Sequence, residues 1–149
     1  MKIISLEGNI GSGKSTLLKM LKNKLENVVF LDEPVNEWQT IKDSSGKNIL
    51  DLFYSDKEKY SFPFQILAYI TRLRLLLKEI KKNEDKTIII ERSIYTDKYV
   101  FAKMLYEKKF INEIEWKSYN HWFDTFKDET KLDTIIWVNT KPEICYERV

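Results

Sequence analysis

Two rhythms of apolar residues alternate along this chain. Short runs at Lys2–Glu7, Val28–Leu31, Thr87–Ile90 and Asp133–Val138 have strand length. Thr87–Ile90 is β-branched throughout and carries no charge, as strands buried on both faces of a parallel sheet do. Between these runs the spacing becomes helical. Leu17, Leu18, Leu21 and Leu25 predict a helix over 14–26. Ile49–Tyr54 is apolar enough to be helical. Ile66, Leu67, Ile70, Leu73, Leu77 and Ile80 form one stripe of a long helix over 56–82, in which Pro63 predicts a kink or a fresh start. Gln65 and Arg72 are two turns apart and share a face with Ala68 and Tyr69. Residues 96–108 and 112–127 read as two further helices, and Pro142 suits the first turn of a last one. Strands that alternate with helices in this way predict an α/β fold, a doubly wound parallel sheet of four strands.

The first strand runs directly into Gly8-Asn9-Ile10-Gly11-Ser12-Gly13-Lys14-Ser15, followed by Thr16, which fits G-x-x-x-x-G-K-[ST]. Three of the chain's four glycines fall in these eight residues. A backbone wrapped around phosphates needs the dihedrals and close approach that glycine allows. Its N–H groups form an anion nest at a helix N-terminus, where Lys14 would reach the β- and γ-phosphates and Ser15 would hold Mg²⁺. The strand before and the helix after distinguish this stretch from a glycine-rich turn that merely carries a lysine.

Composition narrows the setting. A chain of 149 residues suits one domain, and 25 basic against 23 acidic residues give no footprint for nucleic acid. The single cysteine, Cys145, reads as a small buried hydrophobe and fits a reducing, cytoplasmic setting. No apolar run reaches membrane-spanning length, and the phosphate loop follows the first strand too closely for a leader peptide. The one histidine, His121, has no second metal ligand at a suitable spacing and reads as a packing or surface residue.

Charged residues collect where strands end. Asp32-Glu33-Pro34 closes the second strand and Glu91-Arg92-Ser93 closes the third. A parallel sheet brings such ends to the edge where ligands bind. Phosphoryl transfer to a hydroxyl needs a phosphate cradle, a metal ligand, a base for the hydroxyl and a cation for the moving charge. Lys14 with Ser15, Glu91, Glu33 and Arg92 supply a candidate for each.

Several motifs in order extend this picture: GNIGSGKST, Glu33-Pro34 followed by Trp38, Ser61-Phe62 followed by Phe64-Gln65 and Arg72, Glu91-Arg92-Ser93 followed by Asp97, and Tyr106-Glu107. Together, from Met1 to Val149, they resemble the deoxycytidine/deoxyguanosine kinase family of deoxynucleoside kinases. The resemblance implies a P-loop kinase fold and ATP-dependent phosphorylation of a deoxynucleoside at its 5′-hydroxyl, with ATP or another nucleoside triphosphate as donor and Mg²⁺ as cofactor. It also implies a homodimer, with no membrane or nucleic-acid partner. It assigns Glu33 as general base, Arg92 to the 5′-oxygen and phosphates, and Glu91 to Mg²⁺. Tyr54 would contact the 3′-hydroxyl and Gln65 the base edge. Phe64 and Phe101 would sandwich the base between pocket walls that include Trp38 and Leu50. A planar base does suit aromatic faces, and a side-chain amide offers both donor and acceptor.

Arg72 and Asp97 resemble the pair found in members that accept deoxycytidine or purine deoxynucleosides rather than thymidine; a plain buried salt bridge is the other reading. The family pattern continues beyond Val149 with an arginine-rich lid and a fifth strand, so the single domain over 1–149 reads as C-terminally incomplete. A nucleotide-binding remnant without catalysis, or a nucleoside monophosphate kinase of the same fold, is the competing reading.

Overall fold

The computed structural model describes residues 1–83 and 85–149. Four strands, β1 (Lys2–Glu7), β2 (Val28–Leu31), β3 (Thr87–Glu91) and β4 (Thr134–Trp137), form one sheet in the order β2-β3-β1-β4. Every pairing is parallel. The register sets Leu6 of β1 opposite Glu91 of β3, so those two strands finish level.

The sheet belongs to the first of two compact units, which comprises Met1–Glu33, Leu75–Ser93 and Thr130–Val149. Because strand side chains alternate, its two faces are separable by inspection. Ile3, Ile88 and Ile90, with Val29 and Leu31, pack against Leu76 and Ile80 from the end of α4 (Lys57–Lys82). Leu6 and Ile89, with Ile4, Val28 and Phe30, pack against Leu17, Leu18 and Leu21 of α1 (Lys14–Lys22). Helices therefore cover both faces, as the sequence predicts. Helix α1 stops at Lys22 rather than Glu26 because the chain must turn back into β2, and it does so through Asn27 in the left-handed region, φ 58°. Strand β4 pairs with β1 alone among the described residues, and all four of its residues are exposed. Thr140 and the short helix α8 (Pro142–Glu147) follow it, with Cys145 buried.

The second unit comprises Pro34–Arg74 and Ile94–Glu129 and is all helical. It holds α2 (Val35–Trp38), α3 (Ile49–Ser55), the larger part of α4, α5 (Ile94–Thr96), a π-helical segment (Asp97–Ala102), α6 (Lys103–Glu107) and α7 (Glu113–Phe126). Asn48 with Asp51, and Asn112 with Glu115, form capping boxes that fix where α3 and α7 begin.

Helix α4 departs from the reading of its sequence in two ways. It runs unbroken through Pro63. Its buried face also follows the predicted aliphatic stripe only in part: Leu73 is buried and Ile80 packs on the sheet, but Ile70 is 39% exposed, whereas Ser61, Gln65, Thr71 and Arg72 are buried beside Phe64, Ala68 and Tyr69. Thr71 and Arg72 find partners inside, the Trp38 indole and Asp97, and hydrophobic periodicity cannot register such residues. His121 is exposed on α7. Among the described residues no helix is long and apolar enough to cross a membrane.

Tyr69 anchors the helical unit. It is fully buried, its hydroxyl donates to the Trp122 carbonyl at 3.0 Å, and its ring packs against Tyr119 and Phe123. Burial, then the charges of Asp124 and Asp97, push its phenol up to about 12. An unfolded tyrosine titrates near ~10. Between these values the unfolded chain releases a proton that the native chain keeps, so stability present below pH ~10 is lost as pH rises toward about 12. Burial raises the Tyr119 phenol too, so the two share this effect. Tyr69→Phe is expected to shallow the alkaline loss of stability measured by urea unfolding at graded pH. An unchanged slope in the variant would count against this account.

Candidate active site

The phosphate-loop sequence forms the turn between β1 and α1. Gly11 has φ 77°, and a Cβ there would run into the Cys145 carbonyl, so neither its backbone nor its surroundings admit a side chain. Gly13, at φ 96°, caps α1 and turns the chain into it. Ser12 is tied down through its carbonyl, which accepts from Thr140 Oγ1 at 2.8 Å. Lys14 is buried, and its Nζ donates to the Asn9 carbonyl at 2.7 Å. Desolvation, then the neighbouring Arg92, lower its pKa below the ordinary lysine value; Glu91, Glu33 and Glu7 oppose them. An ammonium held near three carboxylates and one guanidinium is suited to a ligand that brings negative charge with it. A cavity of about 500 Å³ opens beside Gly11, Gly13, Lys14, Ser15 and Thr16.

Two contacts join this loop to the other strand ends of the same unit. Ser15 Oγ donates to Glu91 Oε1 at 2.7 Å. The two predicted metal ligands thus meet across 76 residues of sequence. Hydroxyl and carboxylate are hard oxygen donors that suit Mg²⁺, which is normally held by one or two carboxylates, water and substrate phosphates. Among the described residues no group of three or more His, Cys, Asp or Glu is placed to hold a metal ion. Glu33, just past β2, receives Arg92 Nη1 on both carboxylate oxygens, each at 3.1 Å. Arg92 itself has a left-handed backbone, φ 59°, unusual for a side chain of its size.

The predicted base-reading residues lie in the helical unit. Arg72 and Asp97 form a buried two-point ion pair, Nε to Oδ2 at 2.8 Å and Nη2 to Oδ1 at 3.3 Å. Their side chains are only 6% and 3% exposed. Trp38 donates to Thr71 Oγ1 at 2.9 Å and meets Phe64 edge-on, with ring centroids 5.3 Å apart. Phe53 joins the cluster, stacked obliquely on both Phe64 and Tyr54. Gln65 is buried on α4. Leu50 and Phe101 are half-buried, while Tyr54 is 69% exposed. Asp97 and Phe101 both belong to the π-helical segment, a form of backbone frequent at functional sites.

Sequence reasoning missed two features. Arg148 lines the phosphate-loop cavity and its Nη1 donates to the Gly11 carbonyl at 3.2 Å. Only a fold that returns the chain to the loop 137 residues later brings it there. The second is Glu7, buried immediately before the loop, which the sequence presents only as the end of a strand.

A family model described as "Deoxynucleoside kinase" matches residues 4–149. The chain belongs to the deoxynucleoside kinase family. Among similar relatives are a "probable deoxycytidine kinase" of fowlpox virus, 40% identical over 151 residues, and the mitochondrial deoxyguanosine kinase of Xenopus laevis, 36% identical over 167. Human deoxycytidine kinase is 36% identical over 169 residues. These alignments cover 99–100% of this chain but only 60–65% of those relatives, so it spans less than two-thirds of their lengths. The family's P-loop kinase fold is the sheet and loop described above.

In this deoxynucleoside kinase-family chain, the Arg72–Asp97 pair has a measurable energetic signature. Removing one partner strands a buried charge, whereas removing both does not. Arg72→Met alone is expected to destabilise by about 3–5 kcal/mol. The double variant Arg72→Met with Asp97→Ala is expected to recover a large part of this in urea unfolding. Strict additivity of the two single changes would show that the charges are not coupled.

Proposed function

We propose that this chain catalyses ATP-dependent phosphorylation of a deoxynucleoside at its 5′-hydroxyl. The observation that carries the reading is the pairing of Glu33 with Arg92 on the sheet edge that also bears Lys14 and the Ser15–Glu91 couple. In this reading Glu33 takes the proton of the 5′-hydroxyl as that oxygen attacks the γ-phosphorus, while the bond from the γ-phosphorus to the β,γ-bridging oxygen breaks and ADP leaves. Arg92 is placed to meet the negative charge that spreads over the transferring group. Lys14 and the loop N–H groups hold the β- and γ-phosphates, and Arg148 adds a further cation at the rim of the cavity. Mg²⁺, held by Ser15 and Glu91, would neutralise phosphate charge when bound with the nucleotide. A carboxylate base favours a hydroxyl acceptor over a nucleoside monophosphate, whose phosphate oxygen has no proton to lose.

The acceptor, in the same reading, is deoxycytidine or a purine deoxynucleoside. The Gln65 amide, buried on α4, offers a donor and an acceptor to a base edge. Phe64 and Phe101 supply aromatic faces, Trp38 and Leu50 walls, and Tyr54 a hydroxyl for the sugar. The Arg72–Asp97 pair supports discrimination against thymine, because a poorly matched buried polar group costs roughly 1–3 kcal/mol.

Deoxynucleoside-dependent release of ADP tests the activity. Glu33→Gln is expected to lower the turnover rate about a hundredfold or more while deoxynucleoside affinity changes little. Lys14→Ala is expected to abolish turnover with the fold retained. A Glu33→Gln defect confined to the Michaelis constant would make Glu33 a binding residue, and ATP binding without any deoxynucleoside-dependent ADP release would make the chain a binding protein.

Base preference is tested separately by calorimetry with the four deoxynucleosides. Deoxycytidine or a purine deoxynucleoside should bind more tightly than thymidine, and Arg72→Met with Asp97→Ala should move the preference toward thymidine. Thymidine as the tightest ligand of the unmodified chain would refute the role given to this pair.

A further inference from the structure

Glu7 is a buried acid to which the phosphoryl-transfer scheme gives no role. It is the last residue of β1, is 6% exposed, and directly precedes the phosphate loop. Its Oε1 accepts two hydroxyl hydrogen bonds, from Ser5 at 2.6 Å and from Ser93 at 2.9 Å. Its Oε2 is fully buried and has no hydrogen-bond partner among the described residues. Burying a carboxylate is costly, and leaving one of its oxygens unpaired adds to the cost. Two serine hydroxyls need no acid to satisfy them; a backbone carbonyl or an amide would serve. The placement of Glu7 therefore needs a reason other than stability.

Ser93 supplies it. This residue follows Glu91 and Arg92, the two residues of β3 and its end that reach Ser15 and Glu33. Between them the chain turns at Arg92 in the left-handed region, a conformation that costs energy for any side chain other than glycine. Something must hold that turn. One clamp is the Arg92 N–H, which donates to the Leu6 carbonyl at 3.0 Å. The second is the Ser93 hydroxyl on Glu7. Both clamps reach β1 at its last two residues, one step before the phosphate loop. A hydrogen bond to an ionised acceptor is shorter and stronger than one to a neutral group, which suits a strained turn. The charge of Glu7 also acts on Lys14, where it counters part of the pull of burial and Arg92.

We propose that Glu7 is a positioning residue which, through Ser93, holds the Glu91-Arg92-Ser93 turn against the phosphate loop and so keeps Glu91 facing Ser15 and Arg92 facing Glu33. The inference rests on the reading of this sheet edge as a phosphoryl-transfer centre.

Ser5 provides the control. Ser5→Ala and Ser93→Ala each remove one hydroxyl from the same carboxylate oxygen, but only the second frees the turn. The probe is ATP, titrated calorimetrically into the full chain with and without Mg²⁺, beside thermal unfolding of each variant. Both variants should lose similar, small amounts of thermal stability. Ser93→Ala alone should weaken the enhancement of ATP affinity by Mg²⁺ about tenfold, as the loss of a group that orients a metal ligand does, while Ser5→Ala stays within about twofold of the unmodified chain. Glu7→Ala should reproduce the Ser93→Ala loss, and the double variant should add nothing to it. Equal Mg²⁺ enhancement in Ser5→Ala and Ser93→Ala would overturn the inference while leaving the site reading intact, and this contrast decides the matter even if Glu7→Ala does not fold. No Mg²⁺-dependent ATP binding by the unmodified chain would overturn the site reading and this inference together.

Discussion

The register between β1 and β3 is the constraint from which the grouping of Ser15, Glu91 and Arg92 follows. Lys2 pairs with Thr87 and Leu6 with Glu91, so the two central strands end on one line. Past that line one strand becomes the phosphate loop and the other becomes the Glu91-Arg92-Ser93 turn. A slip of one residue would send every side chain of a strand to the opposite face. It would break the separation of the two apolar faces, which is what makes the register hold. The packing of Ile88, Ile89 and Ile90 on alternate sides thus fixes the distance between Ser15 and Glu91 without touching either.

The helical unit solves a different problem. It buries a guanidinium and a carboxylate together, at Arg72 and Asp97, with the Trp38 ring centroid 6.0 Å from the guanidinium carbon. Such a pair adds little net stability, because desolvation of both charges offsets their attraction. Its value lies in order: each charge confines the other to one rotamer, in a fork geometry that only arginine offers. Trp38 is similarly confined by its bond to Thr71, whose hydroxyl in turn donates to the Leu67 carbonyl at 2.7 Å. A rigid buried polar cluster can discriminate among ligands that differ by a few donor and acceptor positions.

How far the sequence revealed this depended on the range of the interactions. All four strands were legible as short apolar runs between helical spacings, β4 included although its four residues are exposed. The loop was legible because its glycines serve the local backbone. The convergence of Ser15 with Glu91 and of Glu33 with Arg92 followed from a general property of parallel sheets, which gather strand ends on one edge. The buried face of α4 was misread, since periodicity counts Ile70 and overlooks Ser61, Thr71 and Arg72. Arg148 was invisible for another reason: no local pattern distinguishes a lysine or arginine near a helix end from one aimed at a loop far away in sequence. Glu7 escaped notice because an acid at a strand end commonly faces water, and only the fold reveals that this one does not.

The π-helical segment over Asp97–Ala102 gives the chain a tolerance that no side chain supplies. Its wider turn accommodates one residue more than an α-helical path between the same two points. Asp97 at its start faces Arg72, while Ala102 at its end and Leu105 beyond it are buried. Deleting one residue between them would let the segment relax to α geometry with both ends held in place. The ion pair and the apolar contact would then keep their register. Residue count is therefore freer here than residue identity at the two ends, and homologous sequences can carry a one-residue gap in this segment without losing either contact.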